Sequence, residues 1–136
     1  MKAKKILFPV FFTILIGMAF SLQAQDAAKP AAGMTFKQTT IDLGKIEQGK
    51  PVTVEFEFTN PSMVPLIINS VRPSCGCTVA DYPKEPIAPG KSGKINVTYN
   101  AASSGSFTKS ITVTTNAAEA NTALIIKGEV VAKAAN

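Results

Sequence analysis

Val52-Thr53-Val54-Glu55-Phe56-Glu57-Phe58-Thr59 alternates apolar and polar residues from end to end. Side chains on an extended strand point to opposite faces with a period of two, so Val52, Val54, Phe56 and Phe58 face a core while Thr53, Glu55, Glu57 and Thr59 meet water. The same alternation recurs outward along the chain, in Ile95-Asn96-Val97-Thr98-Tyr99, in Ile111-Thr112-Val113-Thr114 and from Leu124 to Val131, where Leu124, Ile126 and Val130 share one parity. Thr40 to Ile46 is less regular, with Ile41 and Leu43 on one parity and Ile46 on the other. Leu66 to Val71 breaks parity at Val71, which predicts a bulge or a strand covered on both faces. Thr35-Phe36-Lys37 and Cys77-Thr78-Val79 are short enough for edge strands. Gln48-Gly49-Lys50-Pro51, Asn60-Pro61-Ser62, Pro86 to Gly93, Ser103 to Ser106 and Asn116 to Asn121 supply the turns between them. About seven strands in about a hundred residues, with no segment patterned as a helix, predict an all-β chain: an immunoglobulin-like antiparallel β-sandwich.

The sequence has 136 residues, enough for one domain, and no internal repeat. Residues 1–24 read as a secretory signal: Lys2, Lys4 and Lys5 precede an apolar run from Ile6 to Phe20, and small and polar residues lead to Ala24. That run is interrupted by Pro9 and falls short of the ~20 residues a membrane-spanning helix needs, so no membrane span is expected after cleavage. Residues 25–33 are Ala-rich and aperiodic, a lead-in to a domain over 34–132. Export would put the mature chain in an oxidising space, periplasmic or secreted.

Composition excludes several functions. From residue 25 onward there are 11 basic and 9 acidic side chains, a surplus of two, which offers no basic stripe for nucleic acid. The chain has no His, and so lacks the commonest general base and the commonest zinc ligand. Glu55 and Glu57 share a strand face, but it is the wet one, where carboxylates are ordinary. Ser103, Ser104 and Ser106 have no partner base to activate them. Asn96-Val97-Thr98 matches a glycosylation acceptor yet falls inside a predicted strand. Gly44, Gly49, Gly90 and Gly105 are spaced as turn glycines, and no helix follows them to complete a phosphate cradle.

Cys75-Gly76-Cys77 is the one constellation with reactive potential. In an extended strand its two Cβ atoms would stand ~6.5 Å apart, against the ~3.8 Å a disulfide wants, so a bond requires a turn at Gly76. A three-residue ring would stabilise the fold by only ~1.6 kcal/mol on the loop-entropy relation. Three readings stay open: a structural pair fixing a bend between strands, capture of a soft metal such as Cu(I) with Met63 as third ligand, and thiol-disulfide exchange. Missing Cys-x-x-Cys spacing and the absence of a helix N-terminus count against exchange. Zinc would need Asp81 and Glu85 to converge on the two thiolates.

The run Leu66-Ile67-Ile68-Asn69-Ser70-Val71-Arg72-Pro73-Ser74-Cys75-Gly76-Cys77-Thr78, followed by Ile87-Ala88-Pro89-Gly90-Lys91-Ser92-Gly93, has a recognisable pattern. With Asp42-Leu43-Gly44 and Asn60-Pro61 upstream, it resembles the bacterial domain-of-unknown-function family DUF1573 over about residues 36–130. The resemblance implies an immunoglobulin-like sandwich, similar to pilus-chaperone and sperm-protein domains, in exported proteins of the Gram-negative envelope. It implies no activity and no cofactor. The expectation is therefore a non-enzymatic module that engages another envelope or secreted protein through a sheet edge or a loop face. The alternative is a Cu(I)-binding or redox protein built on Cys75 and Cys77.

Overall fold

A computed structural model describes residues 33–134. The expected signal and lead-in, residues 1–24 and 25–33, lie outside the described residues except for Gly33. Eight strands form: β1 (Thr35–Phe36), β2 (Thr40–Glu47), β3 (Val52–Thr59), β4 (Ile68–Pro73), β5 (Thr78–Asp81), β6 (Ser92–Tyr99), β7 (Gly105–Thr115) and β8 (Asn121–Val131). They build two four-stranded sheets, ordered β1-β3-β6-β5 and β2-β8-β7-β4. The inward parities meet between them: Phe56 and Phe58 from β3, Ile95 and Val97 from β6, and Ile111 and Leu124 from β7 and β8 are 0–1% exposed. The all-β sandwich is thus the observed fold.

The pairing is antiparallel except between β2 and β8, which run parallel. Connectivity forces this. The 48–51 turn hands β2 to β3 in the opposite sheet, so β2 must run toward that turn, and β8 enters from the opposite end and runs the same way. Both irregular parities have a local cause. The β2–β8 register shifts between Asp42 and Lys45, where Gly44 adopts φ +61°, so Ile46 returns to the core side and is buried. A side chain on Gly128 of β8 would come within 2.7 Å of the Gly44 carbonyl, so the bulge also requires glycine opposite it. In β4 a shift between Ile68 and Ser70 sets Ile68 opposite Thr115 and Val71 opposite Val113, both on the core side.

These bulges also blunt the sheet edges. β1 has two residues and β5 four, β2 and β4 are bulged, and β4 ends on Pro73. Short or bulged edges are poor templates for an added strand.

Candidate functional site

The chain passes from β4, on the edge of one sheet, to β5, on the edge of the other, through Ser74 to Cys77. The expected turn forms at Gly76 and Cys77, brings the two cysteine Cα atoms to 5.3 Å, and closes a Cys75–Cys77 disulfide. Backbone bonds fix the turn on both flanks: Ser74 N–H donates to Ser110 O (2.8 Å), and Asn100 N–H donates to Cys77 O (3.0 Å). Both cysteines are half-buried, and Gly76 is exposed with nothing within 4 Å of where a Cβ would stand. Under the turn, Thr78 is 4% exposed and its hydroxyl lies 3.8 Å from each sulfur. The β4–β7 register ends at Pro73 and Ile111, and the Ser74–Ser110 bond extends it by one residue toward the cystine. The sequence reading found the pair and the turn but not the role of Thr78. Adjacency to Cys77 was its only signal.

The Cu(I) reading gains no support. The two sulfurs are bonded to each other rather than free as thiolates, and Met63 is 93% exposed on the β3–β4 connection, at the opposite end of β3 from the cystine. Among the described residues, no three His, Cys, Asp or Glu side chains group as a metal site, so Asp81 and Glu85 do not complete one with Cys75 and Cys77.

The opposite end of the sandwich is organised by Asn60, which is fully buried. Its Nδ2 donates to the carbonyls of Val64 (2.8 Å) and Ile87 (2.9 Å), and its Oδ1 accepts from Ser62 N–H (3.0 Å). The Ser62 hydroxyl stands 2.6 Å from that Oδ1 and 2.8 Å from Val64 O, and donates to one of them. The Asn60 backbone accepts from Gly90 N–H and donates to Lys91 O, while Leu66 and Ile87 exchange two bonds alongside. The Asn60 side chain and four backbone bonds together fasten the 60–67 loop to the β5–β6 connection. Asn116 holds the same loop from another side, bonding Ile67 and Pro65. Held this way, the loop turns Met63, Val64 (44%) and Ile67 (40%) toward water. The sequence marked Asn60 as a turn residue and missed it as a hub.

On the outer face of the β1-β3-β6-β5 sheet, Glu55 and Glu57 are wet as expected and are paired with lysines: Lys94 lies 2.7 Å from Glu55 and 3.8 Å from Glu57, and Lys37 pairs with Glu57. Hydrogen bonding to Lys37, then its charge, holds the Glu57 carboxyl below its ordinary value, and Glu55 raises Lys94 in the same manner. A carboxylate pair for acid-base work needs one member held protonated; here the lysines favour the ionised form of Glu57. Asn96 stands mid-strand in β6, its Oδ1 buried without a partner. Gly44, Gly49, Gly90 and Gly105 all have positive φ, as turn and bulge positions require.

No curated protein matches the chain. Among solved structures it is similar to a protein of unknown function from Porphyromonas gingivalis W83, at 21% identity and TM-score 0.66 over 76% of this chain and 49% of that one. The chain thus spans about half the length of that protein. It is also similar to the ASH/PapD-like domain 7 of human CEP192, at 10% identity and TM-score 0.62 over 77% and 89% of the two chains. A third likeness is to the YadV chaperone, at 14% identity and TM-score 0.52 over 76% and 54%. At such identities these likenesses establish the fold, a PapD-like, immunoglobulin-like sandwich. Residues 34–130 match the profile described as a protein of unknown function (DUF1573), and the chain belongs to that family.

Proposed function

We propose that the protein is an exported, non-enzymatic β-sandwich of the Gram-negative envelope, periplasmic or secreted, that docks another protein through its 60–67 loop. Export is supported by the basic start and short apolar run of residues 1–24. One observation carries the docking reading: a Met at 93% exposure, with Val64 and Ile67 beside it, on a loop pinned by a buried and fully bonded Asn60 and bracketed by Pro61 and Pro65. Single exposed apolar residues are ordinary, but a rigid loop presenting three of them has already met the ordering cost that binding otherwise incurs. Met also adapts its shape to a partner better than branched side chains do. The blunted edges favour this loop face over strand addition.

The test is photo-crosslinking in the native envelope from a reactive residue at position 63, with position 108 on the outer face of β7 as control. A discrete adduct from 63 and not from 108, weakened about tenfold or more when Val64→Asp is added beside the reactive residue with the fold intact, is the expected result. Equal adducts from both positions, or none from 63, would remove the reading.

A further inference from the structure

The cystine at the β4–β5 crossing has no evident structural task. Cys75 lies outside the buried core and Cys77 only packs against it, so the sandwich is complete without the bond. Closing a three-residue ring removes little entropy from the unfolded chain. What surrounds the bond suits chemistry instead. Both cysteines are only half-buried and Gly76 between them is exposed, so a small thiolate can approach the bond. Thr78 is buried, and among the described residues its hydroxyl has the two sulfurs as hydrogen-bond partners, each at 3.8 Å. A buried hydroxyl that can turn to either sulfur stabilises whichever one leaves as thiolate.

We infer that Cys75–Cys77 is a thiol-exchange site whose substrate class is a dithiol, with Thr78 as its positioning residue. A thiolate of the dithiol attacks one cystine sulfur, the Cys75–Cys77 bond breaks, and a mixed disulfide forms. The electron pair leaves on the other sulfur, which takes up a proton from the dithiol. The second thiol of the substrate then attacks its own sulfur in the mixed disulfide, closes the substrate's disulfide and releases the remaining cysteine as a thiol. The substrate is oxidised and the protein reduced by two electrons and two protons. This reading is independent of the 60–67 loop.

The experiment measures the rate at which dithiothreitol opens the bond in the mature protein, by alkylation and mass, in buffer and in denaturing urea. An exchange site reacts in the folded state at a rate within about tenfold of the unfolded chain, because the fold leaves it accessible. A folded-state rate about a hundredfold or more below the unfolded one means a shielded structural bond and overturns the site. Thr78→Val should slow the folded-state reaction several-fold and leave the urea rate unchanged, while Thr78→Ser, which keeps the hydroxyl, should retain the wild-type rate. Equal folded-state rates for the Val and Ser variants would overturn the role of Thr78. Should Thr78→Val fail to fold, Thr78→Ala against Thr78→Ser makes the same comparison.

Discussion

The two ends of the sandwich are closed by opposite means. At one, hydrogen bonds alone, centred on Asn60, tie the 60–67 loop to the β5–β6 connection. At the other, a covalent bond joins residues two apart in sequence. Bond strength suggests that the cystine end is the better secured, but stability depends on what each link spares the folded chain. Asn60 is fully buried, bonds two carbonyls and an N–H that has no other acceptor, and joins segments 27 residues apart. The disulfide joins neighbours that were already close in the unfolded chain. The weaker bond should hold more of the fold, which leaves the stronger one free to open and close.

The largest effect that would test this contrast belongs to Asn60→Ala. It leaves Ser62 N–H without its acceptor, takes one donor each from the Val64 and Ile87 carbonyls and empties a fully buried site, and a urea melt should show a loss on the order of 3 kcal/mol. Smaller is the cost of replacing Cys75 and Cys77 together by Ser, at most about 2 kcal/mol with the same denaturation slope. A larger loss than that of Asn60→Ala would invert the comparison. Away from both ends, Glu55→Lys breaks an exposed pair with Lys94 and should leave the midpoint within error of wild type. Because Lys37 lowers the Glu57 carboxyl, that pairing contributes above the ordinary glutamate range and is lost as pH falls through the lowered value, and its small share should also fade with salt. Smallest of all is Ala101→Gly, beside Asn100 at the cystine end. Ala101 is buried with φ +52°, so relief of the left-handed backbone and loss of a packed methyl nearly cancel, to within about 0.5 kcal/mol by thermal melt.

Local periodicity made β3, β6 and β8 legible, since the parity of Phe56, Val97 or Ile126 is written in each strand alone. The break at Val71 pointed to a bulge or a strand covered on both faces, and the flip at Ile46 was visible without its cause at Gly44. The parallel β2–β8 pair was not legible, because strand direction within a sheet is set by which end each connection lies on. Asn60 announced a turn, but its partners at Ile87 and Lys91 lie far along the chain, and nothing in Asn60-Pro61 specifies them. At the cystine, Gly76 announced the bend that bonding requires. The aim of the Thr78 hydroxyl at both sulfurs depends on how β5 enters its sheet, and no spacing rule encodes that.

The most direct test of the contrast is the urea midpoint of one protein in two states, oxidised and then reduced with its thiols alkylated by a small reagent. The account expects the reduced protein to melt cooperatively, with a loss no greater than about 2 kcal/mol and with the sandwich's circular dichroism intact. Reduction that unfolds the domain, or costs more than Asn60→Ala, would contradict it and return the disulfide to a purely structural role.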